Sequence, residues 1–165
     1  MRTITRSGIG YDVHRLEADR TLVLGGVSLE DPHGLGLAGH SDADVLCHAI
    51  ADAILGATGL QDIGYYFPNT DPALRGISSL EVLRRIVGII TTKGAQIINV
   101  DSTVIAEEPV IGPFVQRMRE NIAGALGLDC SRIGVKATTN EALGFLGRGE
   151  GIAALATAAV ETHVD

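Results

Sequence analysis

Tryptophan is absent from this 165-residue sequence, and aromatic residues amount to only 4%. With 45% hydrophobic residues, the core has to be aliphatic. Cysteine is nearly absent too. Cys47 and Cys130 are the only two, and they show neither CxxC nor disulfide-framework spacing, so a reduced, cytoplasmic setting is expected. No apolar run reaches the roughly 18 residues of a membrane span, and the N-terminus lacks an apolar targeting segment. Neither secretion nor membrane spanning is expected. Positive charge is also scarce: 13 Lys and Arg stand against 20 Asp and Glu, a formal net charge of −7. That excludes general binding of nucleic acid or acidic membrane, which needs a basic footprint. An acidic protein that accepts a polyanion must use metal ions, backbone N–H groups and a few placed cations.

Glycine, by contrast, is plentiful, with 21 residues, which implies tight turns and close backbone approaches. The length suits one domain with a substantial core. Residues 3–14 and 21–27 read as strands, with a Gly25-Gly26 turn signal, and 31–41 as a loop. Ser41 or Asp42 can N-cap a helix running to about Gly59. A second loop covers 61–76. Ser78-Ser79-Leu80-Glu81 matches a capping box that opens a helix ending near Gly94. Gln96 to Ala106 reads as a strand with apolar residues on both faces, and Pro113 as the first turn of a helix to about Gly127. Arg132 to Thr138 is a further strand, and Glu150 to His163 an Ala-rich strand or helix. This order predicts an α+β sandwich with helices on one face of a mixed sheet.

Chemistry first shows in Gly8-Ile9-Gly10-Tyr11-Asp12-Val13-His14. On a strand, residues two apart share a face, so Asp12 and His14 project together. His48 lies on the following helix, in Ser41-Asp42-Ala43-Asp44-Val45-Leu46-Cys47-His48. It can close a two-His, one-carboxylate set with an open fourth position, the pattern of a catalytic zinc site. Asp44, His48 and Asp52 are spaced as one helical stripe. A carboxylate one turn away is expected to fix the His48 tautomer; the plain alternative is a solvated helix face.

Other fragments are ambiguous by themselves. Lys136-Ala137-Thr138-Thr139-Asn140-Glu141 ends a strand and reads either as a capping box or as a phosphate nest with Glu141 as ligand for a hard cation. Gly144 to Gly151 lacks the phosphate-loop and dinucleotide fingerprints and reads locally as a glycine-rich hairpin. His40-Ser41 sits in a polar loop, where a His is solvated or helps a reacting phosphate electrostatically. Asp62-Ile63-Gly64 and Phe67-Pro68-Asn69-Thr70-Asp71 are either ordinary turns or a cradle for sugar-like hydroxyls. No nucleophile elbow or Cys/His pair is visible.

Taken together and in this order, these fragments resemble the 2-C-methyl-D-erythritol 2,4-cyclodiphosphate synthases nearly end to end. The resemblance rests on Asp12-Val13-His14, Gly39 to His48, Asp62 to Gly64, Phe67 to Asp71, Lys136 to Glu141, and Gly144 to Gly151. It implies a substrate whose own 2-phosphate attacks the β-phosphorus of its diphosphocytidyl group, releasing CMP. Asp12, His14 and His48 would hold a zinc-type ion, and Glu141 a magnesium or manganese ion. His40 and Thr139 would stabilise the transition state. Substrate contacts would come from Asp12 to His14, His40 and Ser41, Asp62 to Gly64, and Phe67 to Asp71. Further contacts would come from Ala106-Glu107-Glu108-Pro109-Val110-Ile111-Gly112, from Thr138 to Glu141, and from Phe145 and Arg148. The family is homotrimeric, with sites between subunits and Arg148 near a central cavity.

The chain departs from the family pattern at two places. Asn69 stands where Asp is usual, and Glu108 and Val110 flank Pro109 where Gln or a basic residue and Lys are usual. Two other functions fit parts of the pattern. A non-haem iron oxygenase uses a two-His, one-carboxylate set, but its all-β fold conflicts with the helices expected here. A trimeric homologue without activity would tolerate the altered 107–110 segment.

Overall fold

The computed structural model describes residues 2–164. In chain order its elements are β1 (Arg2–Ala18), β2 (Leu22–Leu24), β3 (Val27–Leu29), β4 (Leu35–Leu37), α1 (Val45–Ala57) and α2 (Ile63–Tyr66). They continue with α3 (Ser79–Thr91), β5 (Ala95–Ile105), α4 (Val115–Leu126), β6 (Ile133–Thr138), α5 (Gly144–Gly147) and β7 (Gly151–Val164). A mixed five-stranded sheet runs in the order β4-β1-β7-β5-β6. Only the β5–β6 pairing is parallel; β7 is antiparallel to both of its neighbours. The expected α+β class, with a mixed sheet and packed helices, is what forms.

Period-two alternation along β1 sets the two faces of the sheet. Gly8, Gly10, Asp12 and His14 turn inward or stay partly buried, while Ile9 (68%) and Tyr11 (53%) stand exposed on the other face. On β7, Ile152, Ala154, Ala156, Ala158 and Val160 are buried beneath the helices. This alternation makes the C-terminal segment a strand rather than a helix. Helix α1 lies across β1 and β7, α3 packs on α1 and α4, and α4 reaches β6. Leu46, Ile50 and Ile54 of α1 are fully buried, each contributing about 2 kcal/mol by leaving water.

Glycine lets α1 come so close. A Cβ added at Gly8 or Gly10 would overlap the carbonyl oxygens of Ala53 and Ala49. The same logic of small residues explains the alanines of β7, which take up little room between the helix and the sheet.

Several elements differ from the sequence expectation. Gly25 and Gly26 both adopt positive φ (56° and 69°), so they form a hairpin turn that splits the expected 21–27 strand into β2 and β3. The 31–41 loop contains β4, which pairs with the end of β1. A register shift between Ile97 and Asn99 changes the phase of β5, so Ile97 and Val100 are both buried on one face. That shift, rather than burial of both faces, explains its continuous apolar look. Segment 144–147 is a short helix, not a hairpin.

Helix caps differ as well. Asp44, not Ser41 or Asp42, caps α1, accepting the Cys47 N–H. Ser78 makes no side-chain cap bond on α3. Glu81 pairs instead with Arg84 and Arg85, and Asp42 receives the Ser79 N–H at 2.9 Å.

Candidate functional site

Asp12 and His14 project from the helix-facing side of β1, and His48 descends from α1 where Gly10 admits the helix backbone. Their ligand atoms meet. Asp12 Oδ2 lies 2.9 Å from His14 Nε2 and 3.0 Å from His48 Nδ1. The two ring nitrogens are 3.3 Å apart. Among the described residues this is the one cluster of three or more His, Cys, Asp and Glu side chains able to hold a metal ion.

The outer ring nitrogens settle the chemistry of that cluster. His14 Nδ1 donates to the Ala38 carbonyl, so the Nε2 of a neutral ring is a bare lone pair. His48 Nε2 lies 2.9 Å from Ser79 Oγ, and Ser79 donates its own proton to the Asp42 carboxylate. Ser79 therefore accepts from His48 Nε2–H, which leaves Nδ1 as a lone pair. Three acceptors then face one point, an arrangement that needs a cation. The donor set fits a divalent metal ion.

Without metal, protons meet that need. Burial works against ionisation of Asp12, but hydrogen bonds and charge from His14 and His48 outweigh it and hold its carboxyl well below the usual range. Burial likewise works against charge on His14, yet the bond to Asp12 and its charge raise the His14 pKa above its ordinary value.

Asp44 does not fix the His48 tautomer. It is fully buried and turns away, accepting N–H groups of Gly25 at 3.0 Å, Gly26 at 2.7 Å and Cys47 at 3.1 Å. Asp52 is no solvated residue either. It accepts the Ile63 N–H at 2.7 Å and so anchors α2. Burial, the largest influence on each, raises the pKa of both carboxyls. The Ser79 hydroxyl at 2.9 Å and the Ser41 hydroxyl at 3.2 Å, not Asp44, lie at His48 Nε2, and no local pattern announces the Ser79 contact, because 31 residues separate it from His48.

A cleft of about 270 Å³ opens over the cluster. His14, His40, Ser41 and His48 form its polar side; Ile63, Gly64, Phe67 and Asn69 contribute from the following loop. His40 is exposed, its Nε2 3.4 Å from the Asp71 carbonyl. Asp62 and Asp71 use their carboxylates as caps, on Tyr65 N–H and Ala73 N–H. Pro68 and Thr70 complete the turn between them and do not line the cleft. Val13 does not line the cleft; it lies beside Phe145 in a second depression that His14 also borders.

The remaining expected residues form a second group. Strand register puts His14 opposite Ile152, Ile105 opposite Ala153 and Thr138 opposite Ile105, so β1, β5 and β6 all finish at one end of the sheet. β6 is nonetheless three strands from β1, roughly 14 Å at the usual strand spacing. Glu107 accepts N–H bonds from Asn140 at 2.7 Å and Ala142 at 3.4 Å, tying 106–109 to the 139–142 turn. Within that turn Glu141 takes φ 52° and donates its N–H to Thr139 Oγ at 3.2 Å. It starts no helix, and the exposed Thr138 hydroxyl bonds only the Thr139 carbonyl. Glu108 pairs with His33 at 2.9 Å, and Arg148 with Glu150 at 2.7 Å. Glu107, Glu108 and Arg148 line a second cavity of about 500 Å³. Ala106, Pro109 and Ile111 are buried, Gly112 is exposed, and Val110 projects with 75% exposure. The two cavities share no residue.

An α+β sheet carrying an open two-His, one-carboxylate cluster at the floor of a cleft defines a metal-site enzyme scaffold. Comparison with known proteins makes this particular. Residues 5–161 match the YgbB family. A 2-C-methyl-D-erythritol 2,4-cyclodiphosphate synthase of Syntrophotalea carbinolica is 61% identical over 89% of this chain and 88% of its own length. Its counterpart in Akkermansia muciniphila is 56% identical over 95% and 92%. Among solved structures, the bifunctional IspDF of Campylobacter jejuni superposes with a TM-score of 0.92 at 42% identity, over 98% of this chain and 43% of that one. A Plasmodium falciparum IspF in complex with CDP gives 0.81 at 36% identity, over 94% of this chain and 95% of that one. The chain belongs to the 2-C-methyl-D-erythritol 2,4-cyclodiphosphate synthase (YgbB) family.

Proposed function

We propose that this chain converts 4-diphosphocytidyl-2-C-methyl-D-erythritol 2-phosphate to 2-C-methyl-D-erythritol 2,4-cyclodiphosphate and CMP, as a phosphorus–oxygen lyase of non-mevalonate isoprenoid biosynthesis. The observation that carries it is the convergence of Asp12, His14 and His48 on one cation position in a member of this family. The nucleophile belongs to the substrate, so the reaction asks no side chain to attack. An oxygen of the 2-phosphate bonds to the β-phosphorus as the bond to the CMP oxygen breaks, and CMP leaves with that oxygen and its electron pair.

The chain's work is to bring two anionic phosphates into line. Asp12, His14 and His48 would hold a zinc-type ion and Glu141 a magnesium or manganese ion, and these would supply charge neutralisation at the diphosphate. His40 and Thr139 offer hydrogen bonds to phosphoryl oxygens as charge shifts. Ile63, Gly64, Phe67 and Asn69 hold the erythritol end, and 106–112 the cytidine end through backbone N–H groups.

One chain does not enclose that substrate. The 270 Å³ cleft is at the small end for a ligand site and excludes the 106–112 and 138–141 segments. A homotrimer with sites at subunit interfaces brings the second group of one subunit to the metal cleft of its neighbour. The exposed Ile9, Tyr11, Val13 and Leu155 on the uncovered sheet face supply the apolar surface for such an assembly. No helix among the described residues is long and apolar enough to cross a membrane, in keeping with a cytoplasmic enzyme.

Incubation with the diphosphocytidyl substrate tests the reading directly. CMP and the cyclic diphosphate should appear in equal amounts with zinc and magnesium present. His48→Ala should lose the tightly held metal and all turnover while keeping its fold. Absence of CMP from folded, metal-loaded wild-type protein would overturn the assignment.

A further inference from the structure

His48 is held from behind by a hydroxyl that is itself held by a carboxylate. Ser79 opens α3, and its side chain is fully buried. Its Oγ donates to Asp42 Oδ1, its backbone N–H donates to Asp42 Oδ2 at 2.9 Å, and its Oγ lies 2.9 Å from His48 Nε2. Asp42 in turn is fixed by its own N–H to the Ile77 carbonyl at 3.2 Å. Both carboxylate oxygens therefore hold Ser79, with Oδ1 also accepting the Asp44 N–H at 3.3 Å. With its proton committed to Asp42, the serine hydroxyl can only accept from the imidazole.

We propose that Ser79, oriented by Asp42, is a positioning residue for His48: it fixes the Nε2–H tautomer and aims the Nδ1 lone pair at the cation position. The inference rests on the reading of Asp12, His14 and His48 as the metal ligands. In metal sites generally, the outer nitrogen of a liganding His is bound directly by a carboxylate, a carbonyl or water. Here a hydroxyl stands between carboxylate and ring, so the negative charge acts through a neutral group and is spread toward the N-terminus of α3.

Ser41 Oγ also lies near His48 Nε2, at 3.2 Å. It is half-buried, lines the cleft and already accepts the Ala43 N–H at 3.1 Å. The shorter bond, the full burial and the double hold by Asp42 assign the anchoring role to Ser79. Ser41 stays available to a ligand in the cleft.

Zinc affinity measured by chelator competition, with the absorption spectrum of the cobalt(II)-loaded protein, tests this apart from turnover. Ser79→Ala should weaken zinc 10- to 100-fold, the usual cost of losing such a partner. It should also change the cobalt bands, because the ring is free to turn. Asp42→Asn should weaken zinc less, since the serine hydroxyl remains, and Ser41→Ala should bind zinc close to wild type. Melting of the metal-free proteins checks that the fold persists. Wild-type zinc affinity and cobalt bands in folded Ser79→Ala would overturn the positioning role alone. If that variant does not fold, unchanged affinity in Asp42→Asn overturns it. Wild-type protein that takes up no metal would overturn the ligand assignment, and the positioning role with it.

Discussion

Gly10 on β1 lies flush against the Ala49 carbonyl on α1, with no room for a Cβ between them. The contact is one residue from His48 on the helix and two from Asp12 on the strand, so it sets the spacing of the metal ligands. Gly10→Ala should push α1 away from the sheet. Overpacking of this kind costs about 1–3 kcal/mol, and it should weaken zinc binding beyond what the lower melting temperature explains. Thermal melts with and without zinc check this; a variant that melts lower but binds zinc as wild type would uncouple the two.

Protons and metal compete for His14. Its pKa lies above the ordinary 6.5, since the Asp12 hydrogen bond and charge outweigh the opposing effect of burial. In metal-free protein the protonated ring contributes stability that is complete below about pH 6.5 and lost as pH rises through the raised value. Zinc requires the deprotonated ring, so its apparent affinity should climb over the same interval, with proton release on binding. Calorimetry in buffers of different ionisation enthalpy measures that release. Zinc affinity that stays flat across this window would contradict the competition.

Glu141 is exposed and starts no helix, and its carboxylate accepts only a long 3.5 Å bond from the Thr139 hydroxyl, which a glutamine oxygen can also accept. Glu141→Gln should leave the melting temperature unchanged and lower turnover on the order of a hundredfold, the scale of one lost electrostatic contact to a transition state. Added magnesium should restore part of the rate. Normal kinetics in this variant would remove Glu141 from the catalytic group.

Tyr11 is 53% exposed in the middle of the uncovered sheet face, with Leu155 opposite it on β7. Burying a carboxylate there without a partner costs several kcal/mol. Light scattering should give a trimer mass for the wild type and a smaller mass for Tyr11→Glu, whose turnover should fall with the loss of shared sites. A monomer mass for wild type at micromolar concentration would sink the shared-site reading.

Val110 projects into solvent where the family usually carries Lys, and Glu107 and Glu108 are occupied by the 140–142 turn and His33. Val110→Lys should tighten CMP by about 1 kcal/mol, the scale of a partly exposed charge-assisted hydrogen bond. Calorimetric titration with no gain would mean that residue 110 does not face the nucleotide.

Local periodicity was enough to read the parts of this protein that depend on near neighbours. Two-residue alternation puts Asp12 and His14 on one side of β1, and helical spacing places His48 on a helix with an apolar opposite face. The mixed α+β class follows from the same patterns, and the aliphatic core from composition alone. What joins elements distant in the chain was not legible. Asp44 reads as a partner for His48 by helical spacing, yet it turns to Gly25 and Gly26 in the β2–β3 hairpin. Ser79 reads as part of a capping box, yet it is buried against Asp42 and His48. Glu107 reads, through the family resemblance, as a substrate contact, yet its carboxylate holds the turn that carries Glu141. A short polar side chain has several possible partners within its own turn. Only the packing of α1 and α3 on the sheet decides which backbone N–H or ring nitrogen comes within hydrogen-bond reach when water is removed.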